Sequence, residues 1–135
     1  MDMHDSLQHI LVSKQVIGDL FYEALFARHP EIRPFFEGID LRRQAVLLTM
    51  ELSVIESHHR LRSPAVRLYL QYLGTKHHHR GIPSELYGPF RDTMLEVLQR
   101  FLEKDWTEEL AKEWKIAIDE ASAVMFEGYA KQFTL

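Results

Sequence analysis

The sequence predicts an all-α protein, and three observations carry this prediction. Apolar residues recur at steps of three and four through most of the chain, as they do in amphipathic helices. Helix start and stop residues, mainly Ser, Thr, Asp, Gly and Pro, separate the periodic stretches. No stretch alternates apolar and polar residues as a half-buried strand would, and no internal repeat or low-complexity segment interrupts the pattern.

Length and composition indicate one domain, residues 1–135, with 46% apolar residues. The formal charge of −4 argues against nucleic-acid binding, which favours basic surfaces. The absence of cysteine excludes disulfides, thiolate metal sites and a Cys nucleophile, and it suits a reducing compartment. No apolar run reaches membrane-spanning length, and the N-terminus does not resemble a signal peptide. We therefore expect a cytoplasmic protein without a membrane or nucleic-acid partner.

The first two helices are expected between residues 5 and 28, with Gly18 marking either a break or a close crossing. The second should end before Pro30, because a residue that precedes proline is pushed out of helical geometry. Residues 30–39 then form a short connection with two adjacent phenylalanines. Aromatic side chains in so short a loop should turn into the core or a pocket.

The third helix is expected from about Asp40, with an apolar side that repeats at steps of four and three. This register places Gln44 on the flank of the buried side, where a polar group needs a partner. The helix ends in a polar run, in which His58 and His59 are expected to decorate the surface rather than to bind a metal. The apolar positions are Leu41, Ala45, Leu48, Leu52 and Ile55.

The fourth helix should start at Ser63, with a proline in its first turn, and carries a histidine on its apolar face. His77 lies on that face, whereas His78 and His79 lie on others. Gly81 and a following proline end the helix. An inward histidine is usually a hydrogen-bonded core residue, but a neutral imidazole is also a common metal ligand, so both interpretations stay open at this point. The face consists of Val66, Leu70, Leu73 and His77.

Two long helices are expected in the rest of the chain. Ser84 should cap the fifth helix. Thr107 should cap the last, because it precedes acidic residues that suit the positive end of a helix dipole. The apolar stripes are Leu86, Phe90, Met94, Val97, Leu98 and Phe101, and then Leu110, Trp114, Ile118, Ala121, Val124 and Met125.

Several stretches, taken in order, resemble the globins, most closely bacterial single-domain globins and the globin domains of flavohaemoglobins and globin-coupled sensors. The family's second helix and proline corner, with the phenylalanine that packs on haem, are similar to residues 21–36, FYEALFARHPEIRPFF. The region of its proximal histidine is similar to residues 73–82, LGTKHHHRGI, followed by Tyr87 and Pro89. Trp114 lies where these proteins carry a tryptophan. The resemblance implies a globin fold, a three-over-three helical sandwich around haem b.

The resemblance also implies roles for individual residues. His77 corresponds to the proximal ligand of the haem iron, because it alone of the three adjacent histidines stands four residues before Gly81. Phe36 would pack on the haem, and Tyr22 would donate a hydrogen bond to dioxygen. The other expected contacts of the cofactor are Gln44, Leu41, Leu48, Leu73, Ile82 and Tyr87.

The distal side departs from the family pattern and leaves two registers open. In the preferred register, Gln44 takes the position above the ligand that is often leucine, and Asp40 takes the usual distal Gln or His position. A carboxylate would repel dioxygen there, so Asp40 should turn outward or the helix should begin late. In the other register, Leu41 and Ala45 form the distal pair.

The proximal side departs as well. Tyr87 matches the tyrosine that flavohaemoglobins use, together with a glutamate, to tune the proximal histidine, but Tyr129 stands at the position of the glutamate. The pair that supplies the proximal push is therefore incomplete. The chain also has no nicotinamide or flavin fingerprint, so electrons must come from another protein.

Three functions are compatible with these residues, in this order of preference. The first is a haem protein that binds dioxygen, carbon monoxide or nitric oxide reversibly, as a carrier or as a sensing domain fused to a signalling domain. The second is a nitric oxide dioxygenase that uses a separate reductase, and the third is a haem-free helical sensor module. An oligomer is compatible with each, since globin-like sensors commonly pair their last two helices.

Overall fold

Helices and their connections make up residues 1–133, the part of the chain that this computed structural model describes, and no strand occurs there. The α-helices are α1 (Met3–Val12), α2 (Ile17–Arg28), α3 (Leu41–Leu61), α4 (Pro64–His79), α5 (Tyr87–Leu102) and α6 (Glu108–Ala130). Short 3-10 turns lie at Pro30–Phe36, Ser84–Leu86 and Glu103–Asp105. The all-α prediction is confirmed, and the last two residues of the expected domain lie outside the described range. None of the described helices is long and apolar enough to cross a membrane.

Polar side chains cap several helix starts. Ser63 and Thr107 cap α4 and α6 as predicted, since each hydroxyl accepts from the backbone N–H three residues later. The prediction for Ser84 is wrong, because this residue opens a 3-10 turn and α5 begins at Tyr87 without a side-chain cap. Pro89 lies in the first turn of α5, where its missing N–H does no harm, so the proline marks this helix start.

The break between α1 and α2 lies at residues 13–16 rather than at Gly18. Gly18 lies inside α2, which crosses α3 so closely that a Cβ atom on Gly18 would lie 2.0 Å from the Ala45 carbonyl oxygen. Its N–H also donates to the Thr49 hydroxyl at 3.1 Å. Of the two predicted roles of this glycine, the close crossing is the correct one.

The main core lies between α2, α5 and α6 and is closed by α1. Trp114 of α6 is fully buried, and its Nε1 donates to the Ser6 hydroxyl of α1 at 2.9 Å. The first and last helices therefore pack without leaving this indole donor unpaired, which would cost about 1–3 kcal/mol. Other fully buried members of the core are Ile17, Phe21, Leu25, Leu98 and Leu110.

Helix α4 packs mainly on α6. Glycines allow this close approach: a Cβ atom on Gly74 would lie 1.8 Å from the Met125 carbonyl oxygen, and one on Gly128 would lie 2.0 Å from the Gln71 carbonyl oxygen. The Thr75 hydroxyl donates to the Gly128 carbonyl at 2.9 Å across the same contact. The backbone of the helix that carries the predicted ligand is thus fixed to the last helix.

The end of α3 is less exposed than predicted. His58 is only 3% exposed, and its Nε2 lies 3.2 Å from the Arg62 guanidinium. His59 is half-buried and pairs with Glu120 of α6 at 2.6 Å. The expectation of a surface position is wrong for His58, because α6 covers a helix end that looks solvated from its own sequence.

Candidate functional site

Helix α4 turns His77 toward the interior and leaves the neighbouring histidines outside. His77 is half-buried, whereas His78 and His79 are exposed, as the helix-face argument predicted. Gly81 ends the helix in the left-handed conformation, with φ of 75°, and the Ile82 N–H donates to the His77 carbonyl at 3.1 Å. The helix end is therefore built directly on the backbone of His77.

Tyr87, the first residue of α5, holds the ring of His77. Its hydroxyl lies 2.7 Å from His77 Nδ1. Within residues 1–133, Nε2 of the same ring has no protein hydrogen-bond partner. A ring that is fixed at one nitrogen and open at the other is the arrangement of metal-binding histidines.

The surroundings of His77 keep its imidazole neutral. Burial lowers the pKa of His77 to about 4, with smaller contributions from the positive charges of Lys76 and Arg80. At neutral pH one ring nitrogen therefore keeps its lone pair. The neutral ring is the form of histidine that binds metal ions.

Tyr22 of α2 is the polar centre of a second group of predicted residues. It is 5% exposed, and burial raises the pKa of its phenol to about 12, against a smaller opposing effect of the nearby Gln44 amide. The phenol therefore stays protonated and able to donate.

The crossing at Gly18 determines which residue of α3 meets Tyr22. Ala45 is 1% exposed because its backbone lies against Gly18, and Gln44, the residue before it, reaches the phenol one turn further along α2. Asp40 is exposed and is the N-cap of α3, where its carboxylate accepts from two backbone N–H groups of the first turn. It thus faces outward and the helix begins after it, as expected.

The aromatic corner after α2 closes around Tyr22. The ring centroid of Phe36 lies 5.2 Å from that of Tyr22 and 5.4 Å from that of Phe26. The carbonyl of Phe35, next in the corner, accepts from Arg80 at the end of α4 at 3.0 Å. This bond joins the Tyr22 group to the helix end that carries the inward histidine.

Helix α5 also connects the two groups. Tyr87 faces His77, and Phe90, one turn later on the same helix, packs on Phe21 with ring centroids 5.5 Å apart. Because Phe21 directly precedes Tyr22, a single helix reaches from the histidine to the phenol. The site therefore has α4 on one side, α2 and α3 on the other, and α5 between them.

The remaining predicted residues divide between the two sides. On α3, Leu48 packs against the main core, and Leu41 lines a surface groove together with Tyr22. Near the histidine, Leu73 packs on the smaller cluster between α4 and α6, and Ile82 is half-buried after the helix end. The structure thus places Tyr22, Gln44, Phe36 and Leu41 in one group and His77, Tyr87 and Ile82 in a second, whereas Leu48 belongs to the main core and Leu73 to the cluster between α4 and α6.

Sequence reasoning missed two hydrogen bonds of the site. The resemblance implied that Tyr129 of α6 lies near Tyr87, and their hydroxyls are 3.3 Å apart, but the bond that Tyr129 donates to the Ile82 carbonyl at 2.7 Å was not expected. Its position continues the apolar stripe of α6 four residues after Met125, which is the signal that could have placed it inside. The bond between Arg80 and the aromatic corner had no signal of this kind, since exposed arginines at helix ends are common.

Comparison with known proteins identifies the family of the chain. The globin family matches residues 19–125, a range that includes Tyr22, Gln44, His77 and Tyr87 and stops before Tyr129. Globin CTT-X of Chironomus thummi thummi is 30% identical over 146 aligned positions, which cover 94% of this chain and 93% of that protein. The matches reach the globins as a whole and do not single out the bacterial types. With its all-helical architecture and a family match over most of its length, the chain belongs to the globin family.

Proposed function

We propose that this globin binds haem b through His77 and binds dioxygen reversibly on the side of Tyr22 and Gln44. Globins generally bind haem and diatomic gases such as dioxygen. The observation that carries the proposal for this chain is the state of His77, a neutral imidazole held at Nδ1 by Tyr87 and without a protein partner at Nε2 in the described residues. This donor fits haem iron, which globins bind through a proximal histidine.

Both groups of residues would contact the cofactor. When bound, haem would supply an iron that takes up dioxygen, carbon monoxide or nitric oxide. His77 would hold the iron, and Phe36 would pack on the macrocycle. The other proposed contacts are Leu41, Leu48, Leu73, Ile82 and Tyr87.

Tyr22 would favour dioxygen over less polar gases. Dioxygen gains negative charge when it binds, and a charge-assisted hydrogen bond from a phenol stabilises that charge. The raised pKa of Tyr22, about 12, keeps the required proton on the phenol, and Gln44 lies near the hydroxyl. Asp40, whose carboxylate would repel the same charge, faces away from this side.

Binding itself is the proposed output, in a carrier or in the sensing domain of a signalling protein. The proximal side supports this, because the groups beyond Tyr87 are the Tyr129 phenol and a backbone carbonyl. A carboxylate in their place would make the histidine a more basic ligand. The cysteine-free sequence supports a reducing location such as the cytoplasm.

A spectroscopic oxygen titration of the purified, haem-loaded protein tests this function. We expect the absorption spectrum to change with oxygen pressure and to return to its starting form when oxygen is removed, and we expect carbon monoxide and nitric oxide to bind as well. Rapid irreversible oxidation of the haem by oxygen would contradict the binding function. A protein that takes up no haem would contradict the cofactor assignment too and would favour a haem-free helical module.

A nitric oxide dioxygenase is the second candidate, because such an enzyme must also hold dioxygen, which Tyr22 and Gln44 would serve. A separate reductase would then have to return electrons after each cycle. We expect one equivalent of nitrate when nitric oxide meets the protein with dioxygen bound, without sustained turnover on addition of a generic flavin reductase and reduced nicotinamide. Sustained, rapid consumption of nitric oxide in that assay would favour the enzyme over the carrier or sensor.

A further inference from the structure

A line of hydrogen bonds leads away from His77. Its Nδ1 lies 2.7 Å from the Tyr87 hydroxyl, that hydroxyl lies 3.3 Å from the Tyr129 hydroxyl, and the latter lies 2.7 Å from the Ile82 carbonyl oxygen. The line runs from α4 through α5 to α6 and returns to the chain directly after Gly81, at the end of α4. These contacts therefore connect the ring of His77 to the backbone that follows the end of its own helix, α4.

If all three contacts are hydrogen bonds, the number of protons allows this line only one direction. A carbonyl oxygen can only accept, so the Tyr129 hydroxyl uses its one proton on Ile82. For the 3.3 Å contact between the two hydroxyls to be a hydrogen bond, Tyr87 must then donate to Tyr129, which uses up the proton of Tyr87. Tyr87 can therefore only accept from His77, and the proton of the neutral imidazole must be on Nδ1.

The surroundings keep both phenols protonated and in place. Burial and the bond to Tyr129 raise the pKa of Tyr87 far above its ordinary value. Burial also raises the pKa of Tyr129, and this effect exceeds the lowering by the bond with Tyr87. The ring of Phe126 lies against both, with centroids 4.6 Å from Tyr87 and 5.9 Å from Tyr129. Both hydroxyl groups therefore keep the proton that they donate, and both rings are held in position.

We propose that Tyr129 is a positioning residue that sets the tautomer of His77. By donating to Ile82, Tyr129 makes Tyr87 an acceptor for Nδ1–H and so leaves the lone pair on Nε2. The hydrogen bond at one imidazole nitrogen decides which nitrogen is free for a metal. Without the Tyr129 hydroxyl, Tyr87 is free to donate to Nδ1, which moves the imidazole proton to Nε2 and blocks that nitrogen.

This inference rests on the proposed function, in which Nε2 of His77 binds the iron. The tautomer, however, is also a property of the haem-free chain. Nitrogen-15 NMR of the histidines in the haem-free, full-length protein at neutral pH measures it without haem. We expect His77 to carry its proton on Nδ1 in the wild type, and a clear shift toward Nε2–H in Tyr129→Phe. Tyr87→Phe, which breaks the line at its middle, should lose the Nδ1–H preference too.

Tyr72→Phe is the matched control for these measurements. It removes a tyrosine hydroxyl from α4, and its ring packs on Phe133, outside the line. We expect the wild-type tautomer in this variant. An Nε2–H or averaged tautomer in the wild type, or an unchanged tautomer in Tyr129→Phe, would overturn the proposal.

The haem-loaded protein gives a second measurement. Tyr129→Phe is expected to weaken haem affinity about ten- to hundredfold, as loss of a group that orients a metal ligand usually does, and to change the iron–histidine stretching frequency in Raman spectra. Lower thermal stability with an unchanged tautomer and frequency would give Tyr129 a merely structural role and contradict the inference. A wild type that shows the tautomer but takes up no haem would contradict the proposed function alone.

Discussion

The proposed role of Tyr22 depends on a single hydroxyl proton. Burial keeps this proton on the phenol, and Gln44 is the side chain beside it. A hydrogen bond to a partly charged acceptor contributes about 1.5–3 kcal/mol, which corresponds to roughly a ten- to hundredfold effect on equilibrium binding. The residue therefore offers a measurable distinction between gases that gain charge on binding and gases that do not.

Tyr22→Phe should speed dioxygen dissociation by about ten- to hundredfold, because it removes this hydrogen bond and little else. Stopped-flow replacement of dioxygen by carbon monoxide measures the rate. Dissociation of carbon monoxide, which carries little charge, should change much less. Equal changes for both gases would show that Tyr22 acts by its bulk.

Glu56 is a buried carboxylate that joins α1 to α3. Its Oε1 lies 2.7 Å from Arg60 Nε and 3.1 Å from His4 Nδ1. Burial alone would raise the pKa of this carboxyl, but the hydrogen bonds and charges of Arg60 and His4 together hold it below its ordinary value of 4.5. A carboxyl with a depressed native pKa adds stability above its unfolded pKa, and this stability is lost as the pH falls through the native pKa.

Glu56→Gln should therefore lower the free energy of unfolding by about 1–3 kcal/mol near neutral pH. Urea denaturation measures the loss, with Glu23→Gln on the exposed side of α2 as the control. The difference from the wild type should shrink as the pH falls from the ordinary value of 4.5 through the depressed native pKa of Glu56, where the wild-type carboxyl also becomes protonated. A difference that is the same at neutral and acidic pH would contradict this account.

At the scale of whole helices, the features that depend on near neighbours in sequence could be predicted. The caps at Ser63 and Thr107 and the left-handed stop at Gly81 are of this kind. The features that the local sequence left open or predicted wrongly here depend on distant elements. The role of Gly18 is decided by the backbone of α3, and the burial of His58 is decided by α6. A local sequence pattern does not determine how a helix is rotated about its axis or which helix packs against it.

Gly74→Ala tests the close crossing of α4 and α6. In an ordinary helix this change stabilises by about 0.5–1 kcal/mol. Here the new Cβ atom would lie 1.8 Å from the Met125 carbonyl oxygen. We expect a loss of about 1–3 kcal/mol in urea denaturation, as overpacking usually costs, and faster haem loss, since His77 lies on the displaced helix.

An unchanged or raised free energy of unfolding in Gly74→Ala, as the same change gives in an ordinary helix, would contradict the close contact between α4 and α6.

At the scale of the whole molecule, the site is assembled from helices that are far apart in sequence. The inward position of His77 and the position of Gln44 on the flank of α3 could be predicted, because each has a defined face on its own helix. The proximity of Tyr22 and Gln44 could not be predicted, since it depends on the crossing at Gly18. The bond of Tyr129 to the end of α4 likewise depends on how closely α6 approaches that helix.

The absorption spectrum of histidine variants tests the central claim, that this chain binds haem through His77, most directly. His77→Ala should lose stable haem uptake. His78→Ala and His79→Ala, which change exposed neighbours on the same helix, should keep the ferrous spectrum of the wild type. A normal five-coordinate ferrous spectrum in His77→Ala would contradict the assignment.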